Sequence, residues 1–171
     1  MKLAFFCSSK ASLIPLFQDS IRSLIKAIEL TSYFTAFVYG GGNSGLMGLV
    51  REYSTIPVIG HNMDRWDPLP GEFVYNSLRE RQSALVDGAD AYMILAGGVG
   101  TLHELFQVLC ENDVEKRDKP VFVYDPDRVY SPLQDLLQRM YESGYISTPL
   151  AITFIRELSE VSTSLAQRFS K

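Results

Sequence analysis

Glu104 stands in the stretch "LAGGVGTLHELFQVL" (95–109), four residues beyond a compact cluster of Gly97, Gly98 and Gly100. Glycines that run into a helix leave the first-turn amides open to an anion. Gly97, Gly98, Val99, Gly100 and Thr101 are therefore candidate phosphate-binding positions, with backbone N–H groups and the Thr101 hydroxyl as donors. A carboxylate in the first turn has a plain structural reading, because the helix dipole stabilises it by about 0.3–1 kcal/mol. It also has a chemical one, an acid or base placed beside a bound phosphate. Position alone favours the first and leaves the second open.

A second glycine cluster, "YGGGNSGLMG" (39–48), also follows an apolar run. Gly40, Gly42 and Gly45 match the dinucleotide fingerprint only loosely, and Asp64 is a weak candidate for its ribose-binding acid. Gly41 and Gly42 are candidates for close backbone approach to a ligand. Arg81, in the polar segment "RERQ" (79–82), is the nearest candidate cation, although Arg79 and Glu80 beside it read as a solvated face.

Other chemistries are excluded by missing residues. No Lys-Ser/Thr pair follows either glycine cluster, so ATP-driven phosphoryl transfer through a P-loop is not expected. The two histidines, His61 and His103, and the two cysteines lack metal-ligand spacing, so no metal is expected. Cys7 and Cys110 both lie in apolar surroundings and are expected to be buried free thiols. Ser8, Ser9 and Ser44 stand in no nucleophile elbow. Lys26, Lys116 and Lys119 lie outside both motifs, which argues against pyridoxal chemistry through a Schiff base.

The elements that must position these residues follow from hydrophobic period. "KLAFFC", "TAFVYGGG", "IPVIGH", "DAYMILAGG", "KPVFVYD" and "AITFI" read as buried strands. Between them lie helical segments at 15–30, "SGLMGLVREYS", "YNSLRERQSALVDGA", "TLHELFQVLCENDV" and "SPLQDLLQRMYESGYI", with one more after the last strand. The stretch 61–75 reads as mostly irregular, with Trp66 and three prolines or glycines. Alternating strands and helices predict an α/β protein, one Rossmann-like domain over 1–171, with a mainly parallel sheet and helices on both faces. Both glycine clusters then fall at the carboxyl edge of the sheet, where such folds bind ligands.

A chain of 171 residues is long enough for one sizeable core. Its net charge of −4 argues against a nucleic-acid surface, and no apolar run reaches the length of a membrane helix. "MKLAFF" reads as a first strand rather than a signal peptide, so a cytoplasmic protein is expected.

Taken together, "YGGGNSGLMG", "AGGVGTLHE" (96–104) and Arg81 resemble the LONELY GUY (LOG) family, also labelled lysine decarboxylase-like. The similarity runs from "FFCSS" through "KPVFVYD" and "ESGYIS". The resemblance implies hydrolysis of a nucleoside 5′-monophosphate, a cytokinin riboside monophosphate or AMP, to free base and ribose 5-phosphate. It implies a modified Rossmann-like fold working as a homodimer, without a cofactor. It carries a functional arginine and glutamate onto Arg81 and Glu104, and a phosphate loop onto 97–101. Arg81 would face Glu104, the phosphate or the base, and sequence does not decide which. Three positions depart from the family pattern: Gln82 for a lysine, Ala96 for a proline and His103 for an acidic residue. These departures leave a second reading, a carrier of the same fold that holds a nucleotide or cofactor without cleaving it.

Overall fold

The computed structural model describes residues 1–146 and 149–170; Ser147, at the end of "ESGYIS", lies outside the described residues. Among the described residues seven strands form one sheet: β1 (Lys2–Phe6), β2 (Ala36–Tyr39), β3 (Val58–Met63), β4 (Phe73–Tyr75), β5 (Ala91–Ile94), β6 (Val121–Tyr124) and β7 (Ile152–Ile155). Their order is β4-β3-β2-β1-β5-β6-β7 and every pairing is parallel. The helices are α1 (Ile14–Leu30), α2 (Gly45–Tyr53), α3 (Leu78–Asp87), α4 (Val99–Val114), α5 (Ser131–Glu142) and α6 (Glu160–Phe169).

Two departures from the sequence reading fall together. β3 runs on to Met63, and a three-residue edge strand, β4, occupies the end of the stretch expected to be irregular. A run as short as Phe73–Tyr75 has no readable period, and only pairing of His61, Asn62 and Met63 with it defines the strand. The helix expected from Tyr75 instead begins at Leu78, after Ser77, whose hydroxyl accepts from the Glu80 N–H.

Alternation along the strands divides the core into two layers. Leu3 and Phe5 of β1 pack with Ile21, Leu24, Ile25 and Ile28 of α1, Leu46 and Leu49 of α2 and Leu165 of α6. Ala4 and Phe6 face the other way, with Leu85 and Val86 of α3, Leu105 and Val108 of α4 and Leu137 of α5. The chain builds outward from β1 to β4, then crosses back to β5 on the opposite flank of β1. Right-handed crossovers running in opposite directions put their helices on opposite faces, and this is the division seen. The reversal opens a crevice between the carboxyl ends of β1 and β5, which is the ligand position in doubly wound sheets.

Candidate active site

At that crevice three loops converge. The loop after β1 hydrogen-bonds the loop after β5 through Ser8 N–H to the Ala96 carbonyl (3.0 Å). It then passes over the start of α2, where the Ser8 carbonyl accepts from the Leu46 N–H (2.9 Å). Gly45 lies at φ +56°, and a Cβ there would stand 2.4 Å from the Ser9 carbonyl carbon, so this crossing requires glycine.

A cavity of about 450 Å³ is bounded by Cys7 and Lys10 after β1, Gly40 after β2, Trp66, Arg81 of α3, and Gly98 to Thr101 with Glu104 of α4. A second recess of about 320 Å³ shares Gly40, Met47, Trp66 and Arg81 and extends along Gly41, Gly42 and Asn62. The expected residues therefore divide between two neighbouring spaces that share one wall.

Arg81 is the hub. It is only 6% exposed, whereas Arg79 and Glu80 beside it are solvated. Its Nε donates to the His61 carbonyl and its Nη2 to the Gly40 carbonyl, each at 2.8 Å. A Cβ on Gly40 would lie 2.5 Å from that Nη2, so the glycine admits the guanidinium. The remaining nitrogen, Nη1, stands 3.8 Å from Glu104 Oε1. That separation is a charge–charge contact rather than a hydrogen bond. The Trp66 ring lies alongside, 5.2 Å from the Arg81 guanidinium carbon, and the Arg65 guanidinium flanks it at 5.5 Å.

Burial pushes the Glu104 carboxyl up to about 7, against the opposing pull of Arg81. Burial likewise lowers Arg81, with Glu104 and Glu72 opposing. Desolvation therefore outweighs the attraction between the partners on both sides. The thiol of Cys7 is raised well above its ordinary range by burial and by the neighbouring Glu104. It is a poor nucleophile and a wall of the cavity.

The two helix starts differ in a way that bears on anion binding. That of α2 is occupied by the Ser8 carbonyl, and the Gly42 N–H donates to Glu72 Oε1 (2.7 Å). That of α4 faces the larger cavity, where no intrahelical carbonyl can reach the amides of Val99, Gly100 and Thr101. Of the two glycine clusters read as phosphate-capable, the second presents its first-turn amides to the larger cavity, whereas in the first the Gly42 and Leu46 N–H groups are taken up by a carboxylate and a carbonyl.

Glu72 is a residue that sequence reading missed. Its Oε1 accepts from the Tyr39 hydroxyl and the Gly42 N–H, its Oε2 from Asn62 Nδ2 and the Leu69 N–H. These four bonds hold the carboxyl below its ordinary range despite partial burial, which pushes the other way. The carboxylate thus ties the first glycine loop to the segment before β4. Lys10 and Trp66 were also missed: no motif marks a lone lysine or tryptophan in a loop.

One expectation is corrected. Cys110 is exposed on α4, while Cys7 is buried as read; the apolar neighbours of Cys110 in sequence lie on the opposite face of the helix. His103 is also exposed, beside Phe106, Gln107 and Cys110 on that outer surface, so it does not touch the Glu104 environment. Gln82 lines neither cavity. His61 is buried, and desolvation, with Arg81 nearby, lowers it to about 4, so the ring is neutral. Its Nδ1 lies 2.8 Å from the Tyr75 hydroxyl. Among the described residues no cluster of His, Cys, Asp and Glu is arranged to hold a metal ion. No described helix is long and apolar enough to cross a membrane.

The topology and the crevice define a Rossmann-like α/β protein with an anion-ready helix start beside a buried Arg–Glu pair. The family model described as "possible lysine decarboxylase" matches residues 50–166. The cytokinin riboside 5′-monophosphate phosphoribohydrolase LOG4 of Arabidopsis thaliana is 30% identical over 181 aligned positions, covering 94% of this chain and 83% of that protein. The probable cytokinin riboside 5′-monophosphate phosphoribohydrolase LOGL2 of Oryza sativa subsp. japonica is 31% identical over 156 positions; the match covers 85% of this chain but only 63% of that protein. The chain belongs to this LOG family. The molybdenum cofactor binding protein from Rippkaea orientalis has the same fold, with a TM-score of 0.66 at 16% identity over 99% of this chain and 97% of that one. A Moco carrier protein from Chlamydomonas reinhardtii also scores 0.66, at 14% identity over 97% and 95%. At such identities the likeness concerns the fold.

Proposed function

We propose that the chain, acting as one nucleotide-binding domain over 1–171, hydrolyses the N-glycosidic bond of a nucleoside 5′-monophosphate. The observation that carries the reading is the placement of Arg81, Glu104 and the open start of α4 around one cavity. The amides of Gly98 to Thr101 and the Thr101 hydroxyl hold the 5′-phosphate, with the dipole of α4 favouring its charge. Lys10, exposed at the rim, adds a positive charge for the same group.

Glycosidic cleavage develops positive charge on the ribose ring, and a carboxylate in a poorly solvated site stabilises it strongly. Glu104 is that carboxylate, facing the sugar or polarising the attacking water. The C1′–N bond breaks with its electron pair leaving on the base, the bond from water to C1′ forms, and the water's proton leaves toward the base or solvent. Arg81 keeps Glu104 in place from Nη1 while its other nitrogens are held by backbone carbonyls. The homologues named as phosphoribohydrolases support the same chemistry. A cytokinin riboside monophosphate or AMP is the proposed substrate, and no cofactor enters the reaction. We place the enzyme in the cytoplasm as a homodimer; the exposed Val99 and Phe106 beside the site fit a covered surface.

The test is incubation with AMP and with a cytokinin riboside monophosphate, following free base, alongside the matching nucleosides and diphosphates. Base release confined to the monophosphates is expected. Binding of AMP without release of adenine would instead define a carrier.

A further inference from the structure

Three successive carbonyls at the mouth of the second glycine loop are tied back into the protein. The Ala96 carbonyl accepts from the Ser8 N–H (3.0 Å), and the Tyr130 hydroxyl lies 3.0 Å from the Leu95 carbonyl and 3.3 Å from that of Gly97. Tyr130 is itself buried, and its own N–H donates to Asp125 Oδ2 (3.0 Å). Asp125 is 4% exposed and is clamped by Arg156, which also donates to Gln134 (2.7 Å). Two loops beyond the cavity thus converge on one phenol.

In a trans peptide the N–H points opposite to the carbonyl of the preceding residue, and no described peptide bond is cis. A Gly97 carbonyl turned toward Tyr130 therefore turns the Gly98 N–H away from it, and Gly98 lines the cavity. Freed from the phenol, the same peptide could rotate and present a carbonyl oxygen to an anion, which repels it. Neighbouring glycines give this peptide the freedom to do so.

We infer that Tyr130 is a positioning residue for phosphate: its single hydroxyl proton, shared between the Leu95 and Gly97 carbonyls in a three-centre bond, keeps them turned inward so that the Gly98 N–H joins the anion-binding amides of α4. This deepens the proposed reading of the 97–101 loop and rests on it. Burial pushes the Tyr130 hydroxyl up to about 12, so it remains a donor across the working range of pH. The Asp125–Arg156 pair holds the phenol's own backbone. The arrangement also explains how a loop with Ala96 in place of the family's proline keeps a fixed start.

The test compares ligands with and without phosphate. Tyr130→Phe removes only the hydroxyl, and calorimetry should show ribose 5-phosphate bound roughly tenfold more weakly, the net worth of about one hydrogen bond. Affinity for adenosine should be unchanged; in turnover, KM for AMP should rise while kcat stays within about twofold. In the unmodified chain, the Gly98 amide proton should move downfield in NMR spectra on adding ribose 5-phosphate, a measurement that needs no variant to fold. Unchanged ribose 5-phosphate affinity in Tyr130→Phe, or a Gly98 amide unmoved at saturation, overturns the inference. Tyr130-dependent binding of ribose 5-phosphate in a chain that releases no base would uphold it and remove the hydrolase reading alone.

Discussion

Replacing Glu104 by glutamine should stabilise the fold at alkaline pH while removing base release. Burial moves this carboxyl from its ordinary 4.5 to about 7. At about 1.36 kcal/mol for each tenfold change in acidity, the ionised side chain costs on the order of 3 kcal/mol of stability at full ionisation. The sign follows from proton uptake. Between the unfolded and folded values the native chain holds the proton more tightly, so stability is greatest below about 4.5 and falls as pH rises through about 7. Glutamine mimics the protonated carboxyl at every pH and avoids that fall. Urea unfolding of both chains at pH 5 and pH 8.5 is the assay. The variant should gain under about 1 kcal/mol at the lower pH and on the order of 3 kcal/mol at the higher. A difference that does not change with pH would refute the reasoning, because it would show that Glu104 is not held in a desolvated site.

The same displacement predicts the pH dependence of turnover. If Glu104 acts as an anion, kcat/KM for AMP should climb about tenfold per pH unit below about 7 and level off above it; a profile descending through 7 would make Glu104 an acid instead. Glu72→Gln should destabilise the chain by about 2–3 kcal/mol in urea unfolding. Each Glu72 oxygen accepts from two donors, so the amide NH₂ meets donors whichever way it is turned, and an unchanged midpoint would contradict that network.

What was legible in the sequence is what depends on local period and local glycine chemistry. Six of the seven strands announce themselves as short apolar runs ended by turn residues, and the helices between them by spacing. β4 did not, because a three-residue edge strand carries no period and owes its existence to β3. The open helix start at 98–101 could be read from its glycines. That the Leu46 N–H of the matching start is taken could not, because its partner is the Ser8 carbonyl, 38 residues back and brought there only by the fold. Arg81 was similarly opaque. Its polar neighbours mark a solvated helix, and only the topology aims its side chain between the ends of β2 and β3. The LOG resemblance named it without giving it surroundings. Tyr130 and Glu72 lie outside both motifs, and their partners, backbone groups for Tyr130 and backbone and side-chain groups for Glu72, are brought to them only by the fold.

The direction in which Glu104 is perturbed separates its two readings. A carboxylate kept at a helix start for the dipole is held in its charged form, and its acidity is strengthened. Glu104 is weakened instead, despite a guanidinium 3.8 Å away, and it stands one turn further into α4 (Val99–Val114) than the first turn expected for it, where the dipole has largely faded. A residue whose ionised form opposes folding is not there as a cap. Glutamine in the same place would satisfy the stability of the chain better, and the cost falls at the junction of the proposed anion site and a fixed arginine. Local choices that work against stability concentrate where a protein does its chemistry. The glutamate whose position first favoured a dipole partner is, in the proposed reading, the group that meets the developing charge on the sugar.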